Sequence, residues 1–163
     1  MDVIRRLLAE DAEELTALRV RNRAYISPWE PDAEEPDRWY TVDGVRSWIV
    51  DGNERFAILD GGEIVGMASL TGVVRGGLQS AMASYFVDES HAGRGLASAA
   101  VHDLVIYAFE ELGLHRIEAG TAVVNVASQR VLEKNGFRRV GLLERHLLLH
   151  GEWVDHYLFE LVR

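Results

Sequence analysis

The chain has 163 residues, 48% hydrophobic and 26% charged, and a formal net charge of −9; that length suits one compact domain burying roughly 70% of its unfolded surface. It contains no cysteine, which excludes a disulfide framework, a thiolate metal site and a cysteine nucleophile. The charge disfavours nucleic acid and favours cationic partners. The longest apolar stretch, residues 96–109, is broken by His102 and Asp103 and is shorter than the ~20 residues of a membrane helix. Residues 1–6 lack the apolar core of a signal peptide. The expectation is a single domain over residues 1–163, cytoplasmic, with no nucleic-acid or membrane partner, as a monomer or homodimer.

Residues 2–8 read as a strand. A helix follows, with Asp11 as its cap, Glu14 completing a capping box, and a run to about Tyr25. Arg19, Arg21 and Arg23 lie near its C-terminal end, where they suit the macrodipole. The segment 28–37 holds all three prolines and five carboxylates and reads as an exposed loop, followed by Trp39, Tyr40 and a short helix near 41–50. Strands at 56–59 and 63–70 flank Asp60-Gly61-Gly62, a hairpin signal. Gly76-Gly77 turns the chain into a third strand ending at Val87. From Gly95 to Leu112, Leu96, Ala100, Leu104 and Tyr107 recur at helical spacing, with Gly113 as the stop. A strand at 115–121, a short helix at 127–135 closed by Gly136, and strands at 137–149 and 152–161 joined by His150-Gly151 complete a mixed α/β sheet.

The chemistry concentrates where the third strand meets its helix, at Val87-Asp88-Glu89-Ser90-His91-Ala92-Gly93-Arg94-Gly95-Leu96-Ala97. Gly93 and Gly95 allow close backbone approach to a ligand. The helix beyond them supplies unpaired N–H groups and a positive dipole end, a natural seat for phosphate or pyrophosphate. A dinucleotide fingerprint would require glycine where Ser98 stands and an N-terminal βαβ unit. A Walker loop would require Gly-Lys-Ser/Thr, which is missing.

This run resembles the pyrophosphate-binding signature of the GNAT acetyltransferases, Gln/Arg-x-x-Gly-x-Gly/Ala, with Gly95 and Ala97 on its last two fixed positions and Ala92 in place of the usual Gln or Arg. A second segment, Asn125 to Phe137, is similar to the Asn-x-x-Ser…Glu-Lys-x-Gly-Phe segment of the ribosomal-protein-alanine N-acetyltransferases. Leu148–Tyr157 and Ser27–Pro31 resemble that branch as well. The resemblance implies a GNAT fold, α/β (α+β), with a mixed, mostly antiparallel sheet of about seven strands flanked by about four helices. It implies acetyl-CoA as co-substrate, bound by Tyr85, Phe86, Val87, Ala92, Gly93, Arg94, Gly95, Leu96, Ala97, Asn125 and Ser128. Asn125 is either a contact to the pantetheine arm or a plain helix cap, and the two are compatible. Many GNAT enzymes carry a tyrosine acid seven residues after this Asn, where this chain has Leu132. Its branch instead places a serine, here Ser128, near the thiol.

By the same resemblance the acetyl group passes directly to an amine in a ternary complex, and the end of the strand at 85–87 splays from its neighbour. A backbone N–H near Val87 then polarises the thioester carbonyl. The amine must be neutral: an α-amine is roughly 10% neutral at pH 7 and lysine well under 0.1%, a gap worth about 3.4 kcal/mol. The strand Ala81–Val87 offers no carboxylate, which favours an N-terminal α-amine over lysine. Glu30 and Glu144 remain as alternative bases. Trp29 and Glu30 are the candidate acceptor contacts. A small amine is the alternative acceptor, and a non-catalytic acyl-CoA-binding module the alternative function. His146 and His150 are four apart on a strand, about 13 Å, too far for one metal. No metal is expected.

Overall fold

The computed structural model describes residues 3–163; Asp2, where the predicted first strand begins, lies outside the described residues. Seven strands form one sheet in the order β1-β2-β3-β4-β5-β7-β6. They are β1 (Ile4–Arg6), β2 (Glu54–Asp60), β3 (Glu63–Val74), β4 (Ser80–Val87), β5 (Arg116–Ala122), β6 (Arg138–Leu149) and β7 (Glu152–Val162). Every neighbouring pair is antiparallel except β4 and β5. Five α-helices accompany them: α1 (Ala12–Arg21), α2 (Arg23–Ile26), α3 (Val42–Ile49), α4 (Leu96–Ile106) and α5 (Val126–Lys134).

Period-two alternation sends successive side chains of each strand to opposite faces, and two cores result. On one face Leu15 and Leu18 of α1 and Val45 and Ile49 of α3 pack on Ala57 and Met67. On the other, Ala100, Val101 and Leu104 of α4 and Leu132 of α5 pack on Ala81, Ala83, Ile117 and Phe159. Leu132 is wholly buried, so the position where many GNAT enzymes hold a tyrosine is here a core position.

Two local expectations are corrected. Asp11 and Glu14 do not form a capping box: Asp11 accepts the Leu8 N–H at 2.7 Å and pairs with Arg5 at 2.7 Å, while Glu14 accepts the Ile64 N–H at 3.0 Å. The first helix does not run to Tyr25. It stops at Arg21 because the buried Asn22 donates to the Leu18 carbonyl and accepts the Glu89 N–H, competing with the backbone ladder. The segment 28–37 is exposed, as expected, apart from the half-buried Glu30. It carries 3-10 turns at Ser27–Trp29 and, from its end, Pro36–Tyr40, and Asp32 accepts the His150 and Gly151 N–H groups at 2.7 Å each. This loop is thereby tied to the β6–β7 turn, where His150 and Gly151 both take positive φ (52° and 79°), as a two-residue hairpin turn requires.

Candidate active site

The site forms where β4 and β5 part. They pair only from Ser80–Met82 to Arg116–Glu118, after which β4 stays with β3 up to Val87 and β5 with β7 up to Ala122. The splay expected at residues 85–87 is present as a fork open at the C-terminal ends of two parallel strands. The Asp88 N–H donates to the Val65 carbonyl of β3. Antiparallel alternation therefore turns the Val87 N–H the other way, into the fork. At Gly66, opposite Val87, a Cβ would lie 2.3 Å from the Phe86 oxygen, so only glycine lets β3 hold β4 this closely.

Beyond β4 the Asp88 side chain caps a 3-10 turn (Glu89–His91) through the Ser90 N–H. Its carboxyl is partly buried, which opposes ionisation, but Arg21 at 2.8 Å and the Ser90 N–H and hydroxyl outweigh burial and hold it below the usual carboxylate range. Gly93 (φ 76°) and Gly95 (φ 83°) then carry the chain into α4 through the left-handed region. A Cβ on either would meet nothing within 4 Å: the glycines are required by conformation, and the space before them is open. The Gly95 carbonyl accepts the Ala99 N–H, so the amides of Leu96, Ala97 and Ser98 face outward from the first turn of α4.

A cleft of about 280 Å³ lies here, lined by the 91–98 loop on one side and by Ala127, Arg130, Val131 and Lys134 of α5 on the other. Arg130 and Lys134 were not singled out by the sequence, although their i, i+4 spacing on α5 places them on one face. Arg94 is part of the loop, and its half-exposed side chain pairs with Asp60 at 2.8 Å. A larger depression of about 490 Å³ between residues 35–38 and the start of α3 is lined by Glu35, Asp37 and Asp43 against Arg38, a poor setting for a diphosphate.

At the mouth of α5 the Asn125 side chain accepts the Ser128 N–H at 3.1 Å, so the helix-cap reading of Asn125 holds. The Ser128 hydroxyl lies 2.9 Å from the hydroxyl of Tyr85. Alternation puts Tyr85 and Thr121 on the α4 face of the fork, one on each prong. Thr121 is buried, and its Oγ1 is without a hydrogen-bond partner among the described residues, a costly state unless a ligand serves it. The open fork, the outward amides and this orphaned hydroxyl fit a thin, amide-bearing arm that ends in phosphates, as coenzyme A does.

The opposite face of the fork carries Met82, Ser84 and Gly120 exposed to solvent. Glu30 sits among aromatic residues nearby: Arg19 donates to one of its oxygens and the Tyr40 hydroxyl to the other at 2.8 Å. Arg19 is buried against the faces of Trp39, Tyr40 and Phe86. Burial first, then the hydrogen bond to Glu30, pushes the Tyr40 hydroxyl up to about 12. The sequence singles out Glu30 but not Arg19, because a helical arginine gives no sign of which loop it will meet. Trp29 is 42% exposed, and Glu144 is exposed in a β6 bulge between Leu143 and Leu147. Among the described residues no His, Asp or Glu side chains gather in a group able to hold a metal ion, and no helix is long and apolar enough to cross a membrane.

Comparison with known proteins agrees with this geometry. Residues 3–138 match the Acetyltransferase (GNAT) domain. The chain is 37% identical to the Probable N-acetyltransferase YjcK of Bacillus subtilis, covering 98% of this chain and 92% of that protein. It is 30% identical to the [Ribosomal protein uS5]-alanine N-acetyltransferase of Escherichia coli, over 98% and 86%. Its fold superposes with a TM-score of 0.90 on Mycobacterium smegmatis RimJ in complex with CoA-disulfide, at 31% identity over 98% of this chain and 80% of that one. The chain belongs to the GNAT acetyltransferase family and is an acetyl-CoA-dependent N-acetyltransferase.

Proposed function

We propose that the acceptor is the N-terminal α-amine of a protein, a ribosomal protein first among them, acetylated by direct attack in a ternary complex. The observation that carries this reading is that, among the described residues, neither prong of the fork carries a carboxylate level with Val87. On β4 the acceptor face offers Met82, Ser84 and Phe86. Glu118 shares that face but stands level with Met82, five residues, or about 16 Å, from Val87. Glu30 is engaged by Arg19 and Tyr40, and Asp88 by Arg21 and Ser90. With no carboxylate on the prongs there, an amine that is already about a tenth neutral at pH 7 reacts far more readily than a lysine. The uS5-alanine N-acetyltransferase relationship points the same way.

Acetyl-CoA supplies the acetyl group as a thioester. The amides of residues 93–98 and the cations Arg130 and Lys134 bind its phosphates, and the Thr121 hydroxyl and the two prongs of the fork hold its arm. The Val87 N–H donates to the carbonyl oxygen as negative charge gathers there. Ser128 faces the sulphur, and Trp29 and Glu30 border the acceptor. Holding the two reactants in line is the main contribution.

The test is release of free thiol from acetyl-CoA with three acceptors: a peptide beginning with alanine, the same peptide N-terminally blocked but bearing a lysine, and a polyamine. Turnover on the first alone is expected. Equal rates on the blocked peptide, or turnover on the polyamine alone, would overturn the α-amine assignment.

A further inference from the structure

The pairing of Tyr85 with Ser128 assigns a task to a side chain that the sequence marked only for its backbone. Tyr85 rises from β4 and packs beside the α4–α5 core, and its hydroxyl lies 2.9 Å from Ser128 Oγ and 3.2 Å from the Ser128 carbonyl oxygen. Each hydroxyl has a single hydrogen to give. Two arrangements satisfy these distances without moving a heavy atom. In one, Ser128 donates to Tyr85 and Tyr85 donates to the Ser128 carbonyl. In the other, Tyr85 donates to Ser128 Oγ, and the Ser128 hydrogen is free to point elsewhere.

We propose that Tyr85 is a positioning residue whose hydroxyl, by switching from the Ser128 carbonyl to Ser128 Oγ, turns the Ser128 O–H onto the coenzyme's sulphur as that atom gains charge. This rests on the reading that places Ser128 beside the sulphur. The switch costs only two hydroxyl rotations, so the donor is organised before charge arrives. A donor that itself accepts a hydrogen bond is also the stronger donor.

No proton passes along the pair. Burial pushes the Tyr85 hydroxyl up to about 12, with the Ser128 hydrogen bond pulling the other way, whereas an ordinary thiol titrates near ~8.5. Moving the Tyr85 proton to sulphur would therefore be uphill. The sulphur keeps its negative charge under the Ser128 hydrogen bond, the proton lost by the attacking amine passes to water, and the thiolate takes one back from water on release. Stabilisation of this kind appears as charge develops and belongs to kcat rather than to cofactor affinity.

The test compares the wild type, Tyr85→Phe, Ser128→Ala and the double variant. Phenylalanine preserves the ring packing, and unchanged melting temperatures are the check on folding. Two quantities are read: kcat against the dissociation constant of coenzyme A, and the thiol pKa of enzyme-bound coenzyme A, followed by thiolate ultraviolet absorbance. The expected result for Tyr85→Phe is a kcat about fivefold to tenfold lower, with coenzyme affinity within about twofold, and a raised pKa for the bound thiol. The double variant should be no worse than Ser128→Ala, because the two hydroxyls act as one unit. If Tyr85→Phe leaves the bound thiol pKa unmoved while Ser128→Ala raises it, the proposal for Tyr85 is overturned and the Ser128 reading stands. If Ser128→Ala leaves it unmoved too, both fall.

Discussion

The two sides of the β4–β5 fork are built from different materials. The side proposed for the cofactor is mostly backbone: two glycines of positive φ, the outward amides of α4 and the unpaired edge of β4 near Val87. The side proposed for the acceptor is mostly side chain, with Arg19, Glu30 and Tyr40 linked across α1, the 27–40 segment and the face of Phe86. Backbone construction is indifferent to most substitutions but intolerant of a Cβ at a few points. A side-chain network tolerates backbone variation but fails when one partner leaves.

The largest effect expected is at Gly95. Gly95→Trp should cost about 1–2 kcal/mol of stability from the left-handed backbone alone, since a Cβ there meets no protein atom. Coenzyme A affinity should fall more than about a hundredfold as the ring fills the cleft. Calorimetric titration alongside thermal melting separates the two, and normal binding would break the backbone account of the cofactor side. Gly66→Val tests the same account from within the sheet. Its branched side chain must displace the Phe86 carbonyl from 2.3 Å, so a stability loss of about 1–3 kcal/mol in denaturant unfolding is expected, with kcat reduced by misplacement of Val87.

Glu30→Gln sharpens the other half. It leaves the buried Arg19 without its carboxylate, and because Glu30 is partly exposed the expected loss is about 2 kcal/mol, below that of a fully buried pair. The acceptor KM should rise while coenzyme A affinity stays unchanged; a rise in both would erase the division between the two sides. Arg130→Ala is milder. It should weaken coenzyme A binding about fivefold to tenfold, as loss of one exposed phosphate contact does, with little change in melting temperature.

The smallest effect concerns acid stability. The Arg5 hydrogen bond to Asp11, working against burial, holds the Asp11 carboxyl below its usual 3.8. A lowered folded value means that this stabilisation is fully present above the unfolded value and is lost as pH falls through the folded one. Asp11→Asn should therefore flatten the stability profile below about pH 4 and leave the fork's chemistry untouched, as read by acid unfolding curves and kcat.

Much of this division could be read from the chain. Gly93 and Gly95 before a helical period, Asp60-Gly61-Gly62 between strands, and His150-Gly151 at the last hairpin are local signals, since each depends on what a residue's own φ allows. The seven strands and the fork appeared where the sequence and its resemblance placed them. The failures share one cause. Asn22 ended α1 by reaching Glu89, 67 residues away. Glu14 reached Ile64 instead of its own helix end. A capping box or a helix length extrapolated along the chain cannot anticipate a partner supplied from across the sheet.

The sequence by itself determined the order of elements, the glycine cradle before α4 and the GNAT likeness, because hydrophobic period and glycine placement act over a few neighbouring residues. Only the tertiary structure decided that Leu132 is core, that Tyr85 meets Ser128, that Arg19 holds Glu30 and that Arg130 and Lys134 face the cleft. Those contacts join residues distant in sequence, and their energies exist only once the sheet has brought its faces together.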